Sequence, residues 1–179
     1  MSVVPVLNTD RLILRGHMAE DFPAYAAMWG DAAVTRFISG TPLSEEDAWG
    51  KFLRAFGHWA LLGYGFWAVI ERATGARIGE VGFLEGRRQI EPTLVGTPEC
   101  GWAFVVRAQG KGYATEAMRA ALAWGEEHFG AVRLACIIAP KNAASLRVAE
   151  KVGFRVAHHT TYKNEPTELL FRDPVPRFK

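Results

Sequence analysis

The stretch VVRAQGKGYATEA, residues 105–117, sets two glycines one residue apart between basic side chains, with an Ala-rich helical pattern directly behind them. Glycine lets backbone N–H groups approach an anion with no Cβ in the way, and a helix starting there adds the positive end of its dipole. Residue types and spacing together describe a phosphate-binding turn. A Walker A loop needs Gly five residues before the Gly-Lys pair and Ser or Thr after it, but Val105 and Gly112 occupy those positions. A dinucleotide fingerprint needs a further Gly three residues on, where Thr115 stands. Both designs fail, and a nucleotide-dependent enzyme loses its support with them. What remains is a strand, Arg107-x-x-Gly110-x-Gly112, and a helix. From the loop alone, a glycine turn without a ligand stays open beside an anion site.

The elements that must position this loop follow from periodicity. Residues 11–15, RLILR, alternate and read as a strand. Asp21-Phe22-Pro23 starts a helix, with Asp as N-cap and Pro in the first turn, running to about Trp29. Ser44 caps a second helix whose apolar residues at 49, 52, 53, 56, 59 and 60 keep helical spacing. Two β-rich runs flank Thr74-Gly75 as a hairpin. The strand Glu99–Val106 leads into the glycine loop, and small or apolar residues at 114, 117, 118, 121, 122 and 125 then form one helical face. Val132–Ala139 reads as a buried strand, and Asn142 sits near the N-cap of a helix closed by Gly153. From Phe154 to Arg172 the pattern is strand, a turn near Asn164–Pro166, and strand. This order predicts an α+β fold, a mixed sheet with helices on its faces.

The 179 residues suit one domain, taken as residues 1–179. Lys and Arg number 21 against 19 Asp and Glu, and the resulting +2 is too balanced to argue for nucleic acid or an anionic membrane as partner. The apolar runs Trp59–Leu62 and Phe66–Ile70 are far short of a membrane span. The N-terminal stretch MSVVPVLNTDRLILR shows no signal-peptide pattern, so a cytoplasmic location is expected. Cys100 and Cys136 lie in apolar strand-like runs and read as buried free thiols rather than a disulfide or metal pair. His17, His58, His128, His158 and His159 lack metal-site spacing, and no metal is expected. The aromatic set Trp29, Trp49, Phe52, Phe56, Trp59, Phe66 and Trp67 reads as core, with an aromatic-lined pocket as the alternative.

The loop has company that carries a family resemblance. Arg107-x-x-Gly110-x-Gly112 resembles the acyl-CoA pyrophosphate loop, Q/R-x-x-G-x-G/A, of the GNAT N-acetyltransferase superfamily. Residues 110–117, GKGYATEA, are similar to the form in its RimJ/RimL-like branch. That branch also favours a T-x-R-L-x-L-R opening, matched by Thr9, Arg11, Leu12, Leu14 and Arg15. Its E-x-G strand start is matched by Glu99 and Gly101, and its N-x-x-S followed by E-K-x-G-F by Asn142, Ser145 and residues 150–154. Any one match is weak, but four in register over residues 9–154 are specific.

The resemblance implies a GNAT fold whose central parallel strands, Glu99–Val106 and Val132–Ala139, splay apart, with acetyl-CoA in the V-shaped opening. Backbone groups of Phe104, Val105 and Val106 would pair with the pantetheine arm. The amides of Gln109, Gly110, Lys111, Gly112, Tyr113 and Ala114 would wrap the pyrophosphate, with Arg107, Lys111 and the Thr115 hydroxyl as added donors. Asn142 would contact the cofactor or simply cap its helix. The reaction would be direct attack of a neutral amine on the thioester, with no metal. Ser145 is placed near the sulfur as a donor, filling its helical turn being the bland alternative. Glu99 and Glu80 are the candidate bases through water, with plain solvation or ion pairing as the alternative for each. An α-amine is roughly a tenth neutral at pH 7 and a lysine amine only about once in 10³–10⁴ molecules, so a weak base suits the less basic amine. The acceptor would be a protein or peptide α-amine or a small-molecule amine, and the loops 30–42 and 86–98 expected to face it carry no motif. A homodimer is compatible with the sequence. A non-catalytic acyl-CoA-binding or sensing module is the rival reading.

Overall fold

Strand alternation and helix punctuation translate into a layered architecture. The computed structural model describes residues 4–174. The chain order is β1 (Leu7–Asn8), β2 (Leu12–Arg15), α1 (Phe22–Trp29), α2 (Ala32–Thr35), α3 (Glu45–Leu62), β3 (Phe66–Glu71), β4 (Arg77–Leu84), β5 (Glu99–Phe104), α4 (Tyr113–His128), β6 (Leu134–Ile138), α5 (Ala143–Lys151), β7 (Arg155–Tyr162) and β8 (Glu165–Arg172). The strands form one eight-stranded sheet in the order β1-β2-β3-β4-β5-β6-β8-β7. Every pairing is antiparallel except β5 with β6.

The termini of the helices obey local chemistry. Ser44 Oγ accepts from Asp47 N–H at 3.1 Å, three acids fill the first turn of α3, and Gly63 at φ +74° ends it. Asn142 Oδ1 accepts from Ser145 N–H at 3.1 Å and so caps α5. Asp21 does occupy the N-cap position of α1, but its carboxylate does not cap that helix. It turns back to Met18 N–H and the Arg15 guanidinium, because a short 3₁₀ turn at Ala19–Asp21 precedes α1 and claims it.

Other boundaries differ from the sequence reading. β5 ends at Phe104, since Val106–Ala108 winds into a 3₁₀ turn. β6 covers only Leu134–Ile138, and α2, capped by the Asp31 side chain, was not foreseen. The last hairpin turns at Lys163-Asn164, both with positive φ, one residue ahead of the expected place.

One sheet face packs against α4 and α5 through Ala117, Met118, Ala121, Leu122, Ala149 and the strand residues Val81, Phe83, Cys100 and Cys136. Gly125 belongs to the same α4 face, and a Cβ there would meet Phe83 at 2.8 Å. On the other face Tyr25, Met28, Trp29, Ala48 and Phe52 of α1 and α3 cover Ala103. The segment 85–98 covers the rest of that face, burying Ile90 and Leu94 against Ala135 and Leu169. Trp29, Phe52, Trp59 and Trp67 are buried, while Trp49 and Phe56 remain substantially exposed along α3.

Candidate acyl-CoA site

The β5–β6 ladder consists of one register pair, Glu99 with Ala135, and Ala135 N–H donates to Pro98 O at 3.1 Å. Both strands continue beyond it unpaired, which opens the sheet at its centre. The β4–β5 register from Leu84–Glu99 to Gly79–Phe104, with Val105 N–H donating to Ile78 O, fixes which groups face the gap. Main-chain groups alternate sides along an antiparallel strand. Glu99, Gly101, Ala103 and the Val105 N–H therefore face β4, and Trp102 and Phe104 turn theirs to the opening, whereas Val105 O and Val106 O accept from Ala108 N–H and Gln109 N–H within the 3₁₀ turn. Of the residues expected to meet pantetheine, Phe104 has its main-chain groups on the edge away from β4, the Val105 N–H is taken by Ile78 O, and Val106 lies in the 3₁₀ turn. Trp102 faces the opening as well. Phe104 O already accepts from Gln109 Nε2 at 3.1 Å.

The glycine loop runs directly from this edge. Gly110 and Gly112 adopt φ +74° and +81°, the left-handed region open to glycine at little cost. Gly112 is the N-cap of α4 and offers no side chain to cap it. Among the described residues, no backbone N–H from Gly110 through Thr115 has a hydrogen-bond acceptor. That is a run of unengaged donors leading into a helix N-terminus, the arrangement that suits a phosphate.

Two carboxylates hold the loop from outside. Glu116 accepts from Thr9 Oγ1 at 2.6 Å, Arg11 N–H at 3.0 Å and Arg11 Nε at 2.6 Å. Burial works against its charge, but the Thr9 and Arg11 donors outweigh burial and hold its carboxyl below the ordinary range. Glu71 accepts from Tyr113 OH and Thr74 Oγ1, each at 2.7 Å, and lies 3.8 Å from Arg107 Nη1. Those hydrogen bonds, Tyr113 first, hold Glu71 below its usual range. The Tyr113 side chain thus points to the β3–β4 hairpin, leaving only its amide for an anion. Arg107 and Lys111 are exposed.

Asn142 and Ser145 sit at the start of α5, just past the β6 end of the opening. The Asn142 carbonyl is engaged in capping, and the half-buried Ser145 hydroxyl has no hydrogen-bond partner among the described residues. Cys100 and Cys136 are free and buried side by side in register at the root of the V. Burial pushes both thiols up, so neither is a nucleophile.

The candidate bases separate. Glu80 lies in a row across the sheet with Arg15, Ala68 and Ala103, on the face covered by α1 and α3. It is 2% exposed, with Arg77 Nη2 at 3.4 Å and His17 Nε2 at 3.8 Å. Burial raises its pKa, against the pull of Lys51, Arg77 and the Trp29 indole. The His17 ring sits edge-on to Tyr25 and Phe52, and burial, then the Arg77 charge, lowers its pKa to about 3. Both His17 nitrogens and Arg77 Nε are buried without hydrogen-bond partners. Glu99 is also buried, but Arg88 Nε and Nη2 grip its two oxygens at 2.5 and 2.7 Å. It stands four positions along β5 from the Glu80 row, about 13 Å at the strand rise. The two glutamates therefore do not form a carboxylate pair. A groove of about 490 Å³ lies elsewhere, lined by Arg119, Lys151 and Arg172 among others, and includes none of these residues. Among the described residues no group of His, Cys, Asp and Glu is placed to hold a metal, and no helix is long and apolar enough to cross a membrane.

Comparison with known proteins agrees with this geometry. A family profile described as Acetyltransferase (GNAT) domain matches residues 11–155. The chain is 30% identical to the uncharacterized N-acetyltransferase YnaD of Bacillus subtilis, over 83% of this chain and 82% of that one. It superposes with a TM-score of 0.83 on a putative GnaT-family acetyltransferase from Bordetella pertussis, 35% identical, covering 94% of this chain and 99% of that chain. AAC(6')-Ib in complex with ribostamycin and coenzyme A shares the fold, with a TM-score of 0.75 at 17% identity over 92% and 94% of the two chains. A profile match over most of the sequence, a relative at 30% identity and an opened sheet lead to one assignment: the chain belongs to the GNAT acetyltransferase family and is an acyltransferase.

Proposed function

We propose that this chain is a single-domain RimJ/RimL-like N-acetyltransferase that moves the acetyl group of acetyl-CoA to a protein or peptide α-amine or a small-molecule amine. The run of unengaged N–H groups from Gly110 through Thr115, at the end of a strand that parts from β6 after Glu99, carries this reading. It offers donors for a pyrophosphate and, next to them, a peptide-like edge for pantetheine amides. Coenzyme A bound to AAC(6')-Ib in the same fold is consistent with it.

In the reaction a neutral amine nitrogen attacks the thioester carbonyl, a C–N bond forms and the C–S bond breaks. The Trp102 or Phe104 N–H faces the gap where the developing oxyanion needs a donor. The Ser145 hydroxyl donates to the departing thiolate, directly or through a water. The proton lost by nitrogen passes through water to Glu80, whose burial raises its pKa and makes it a better proton acceptor than an ordinary carboxylate. Glu99, the other candidate, would first have to release Arg88. An α-amine, already roughly a tenth neutral at pH 7, asks least of such a base.

Thiol release from acetyl-CoA across peptides with free N-termini, polyamines and aminoglycosides tests the proposal. Release with at least one amine is expected. Tight acetyl-CoA binding without turnover on any of them contradicts it.

A further inference from the structure

The unengaged amides of the glycine loop need something to aim them, and the second strand provides it. Arg11 precedes β2 and is separated from the loop by 100 residues of chain, yet its Nη1 donates to Lys111 O at 3.0 Å. A trans peptide sets its C=O and N–H in opposite directions. Anchoring Lys111 O on Arg11 therefore turns the Gly112 N–H away from Arg11. Arg11 lies close behind that peptide, since a Cβ on Gly112 would meet its Nη2 at 3.5 Å. The same guanidinium stacks 4.5 Å above the Tyr113 ring and engages Glu116 with Nε and Nη2, each at 2.6 Å. Glu116 stands in the first turn of α4, where an uncompensated carboxylate would repel a diphosphate.

We propose that Arg11 is a positioning residue for the anion loop, aiming the Gly112 amide and neutralising Glu116 so that a diphosphate can bind. The proposal rests on the acyl-CoA reading above. A single exposed ion pair contributes little to stability, and Arg11 is 47% exposed. Its role is read in ligand affinity, and the fold tolerates its loss.

The test compares wild type, Arg11→Ala, Arg11→Lys and Arg11→Ala/Glu116→Gln by calorimetry with coenzyme A and with S-acetylpantetheine, which lacks the diphosphate. Thermal unfolding without ligand is recorded in parallel. Arg11→Ala should weaken coenzyme A at least about tenfold and leave S-acetylpantetheine within twofold, because only the diphosphate uses the aimed amides. Arg11→Lys should fall in between, since an ammonium cannot reproduce the fork. The double variant should recover part of the loss, because it removes the repelling charge but not the need to orient the peptide. Equal losses on both ligands, or coenzyme A affinity within twofold of wild type, overturns the proposal. Wild type that binds neither ligand overturns the acyl-CoA reading itself, and this inference falls with it.

Discussion

His17 offers a perturbation whose size can be worked from its surroundings. Its ring is enclosed by Tyr25, Phe52 and Phe56 at centroid distances of 5.8, 5.5 and 6.4 Å, with both nitrogens unpartnered. Burial, then Arg77, lowers its pKa from 6.5 to about 3. The unfolded chain therefore binds a proton that the folded chain refuses throughout that window. Stability from the neutral ring is complete above pH 6.5 and is lost as pH falls toward 3. At pH 5 the loss is roughly 1.5 pH units at about 1.4 kcal/mol each, or about 2 kcal/mol. Glu80 acts oppositely, since its raised pKa makes the fold gain stability as pH falls toward the ordinary carboxylate range. The wild-type curve alone would blur the two, and a variant isolates the histidine. His17→Phe keeps a ring among aromatic neighbours and removes two unpartnered nitrogens, so its stability at pH 7 should equal or exceed wild type. By urea unfolding at pH 7, 6 and 5, the variant should gain about 2 kcal/mol on wild type between the extremes. Parallel curves would refute the reasoning and show that the imidazole is hydrated or charged in the fold.

Two further outcomes follow from the same interior. Glu80→Gln should lower kcat by about a hundredfold while leaving acetyl-CoA affinity unchanged. It should also abolish the limb of the pH–rate profile on which activity rises as Glu80 deprotonates, above the usual carboxylate range; an unchanged profile would move the base elsewhere. Cys100 and Cys136, buried with their thiols pushed up, should resist a thiol reagent at pH 8 in the folded protein and react fully after denaturation. Fast labelling of the native state would contradict the burial.

Much of this was readable from the chain because its signals are local. The left-handed glycines at 110 and 112, the Ser44 and Asn142 caps and the apolar face of α4 each follow from residues within a few positions of one another. Arg11 and Glu71 were missed as partners of the loop because their contacts join segments 100 and 42 residues apart. Position 11 was visible only as part of a motif. Glu99 read as a candidate base, but whether Arg88 would grip both its oxygens depended on how the segment 85–98 folds over the sheet. The side of β5 that each amide faces also needed the β4 register, which placed Trp102 at the opening and turned Val105 from it. His17 and Lys51 gave no sequence signal of gathering around Glu80, since the segment after β2 and helix α3 bring them there, whereas Arg77 shares β4 with it.

The central claim is that the loop from Gly110 to Thr115 holds the diphosphate of acetyl-CoA. Titrating acetyl-CoA calorimetrically into wild type and Gly110→Val tests it most directly. A Cβ at Gly110 meets no atom within 4 Å, but a branched residue is strained at φ +74° and should redirect the local amides. Wild type should show saturable one-to-one binding, and the variant should stay folded but bind at least about tenfold more weakly, a loss of about 1.4 kcal/mol or more. Equal affinity in the two proteins would contradict it.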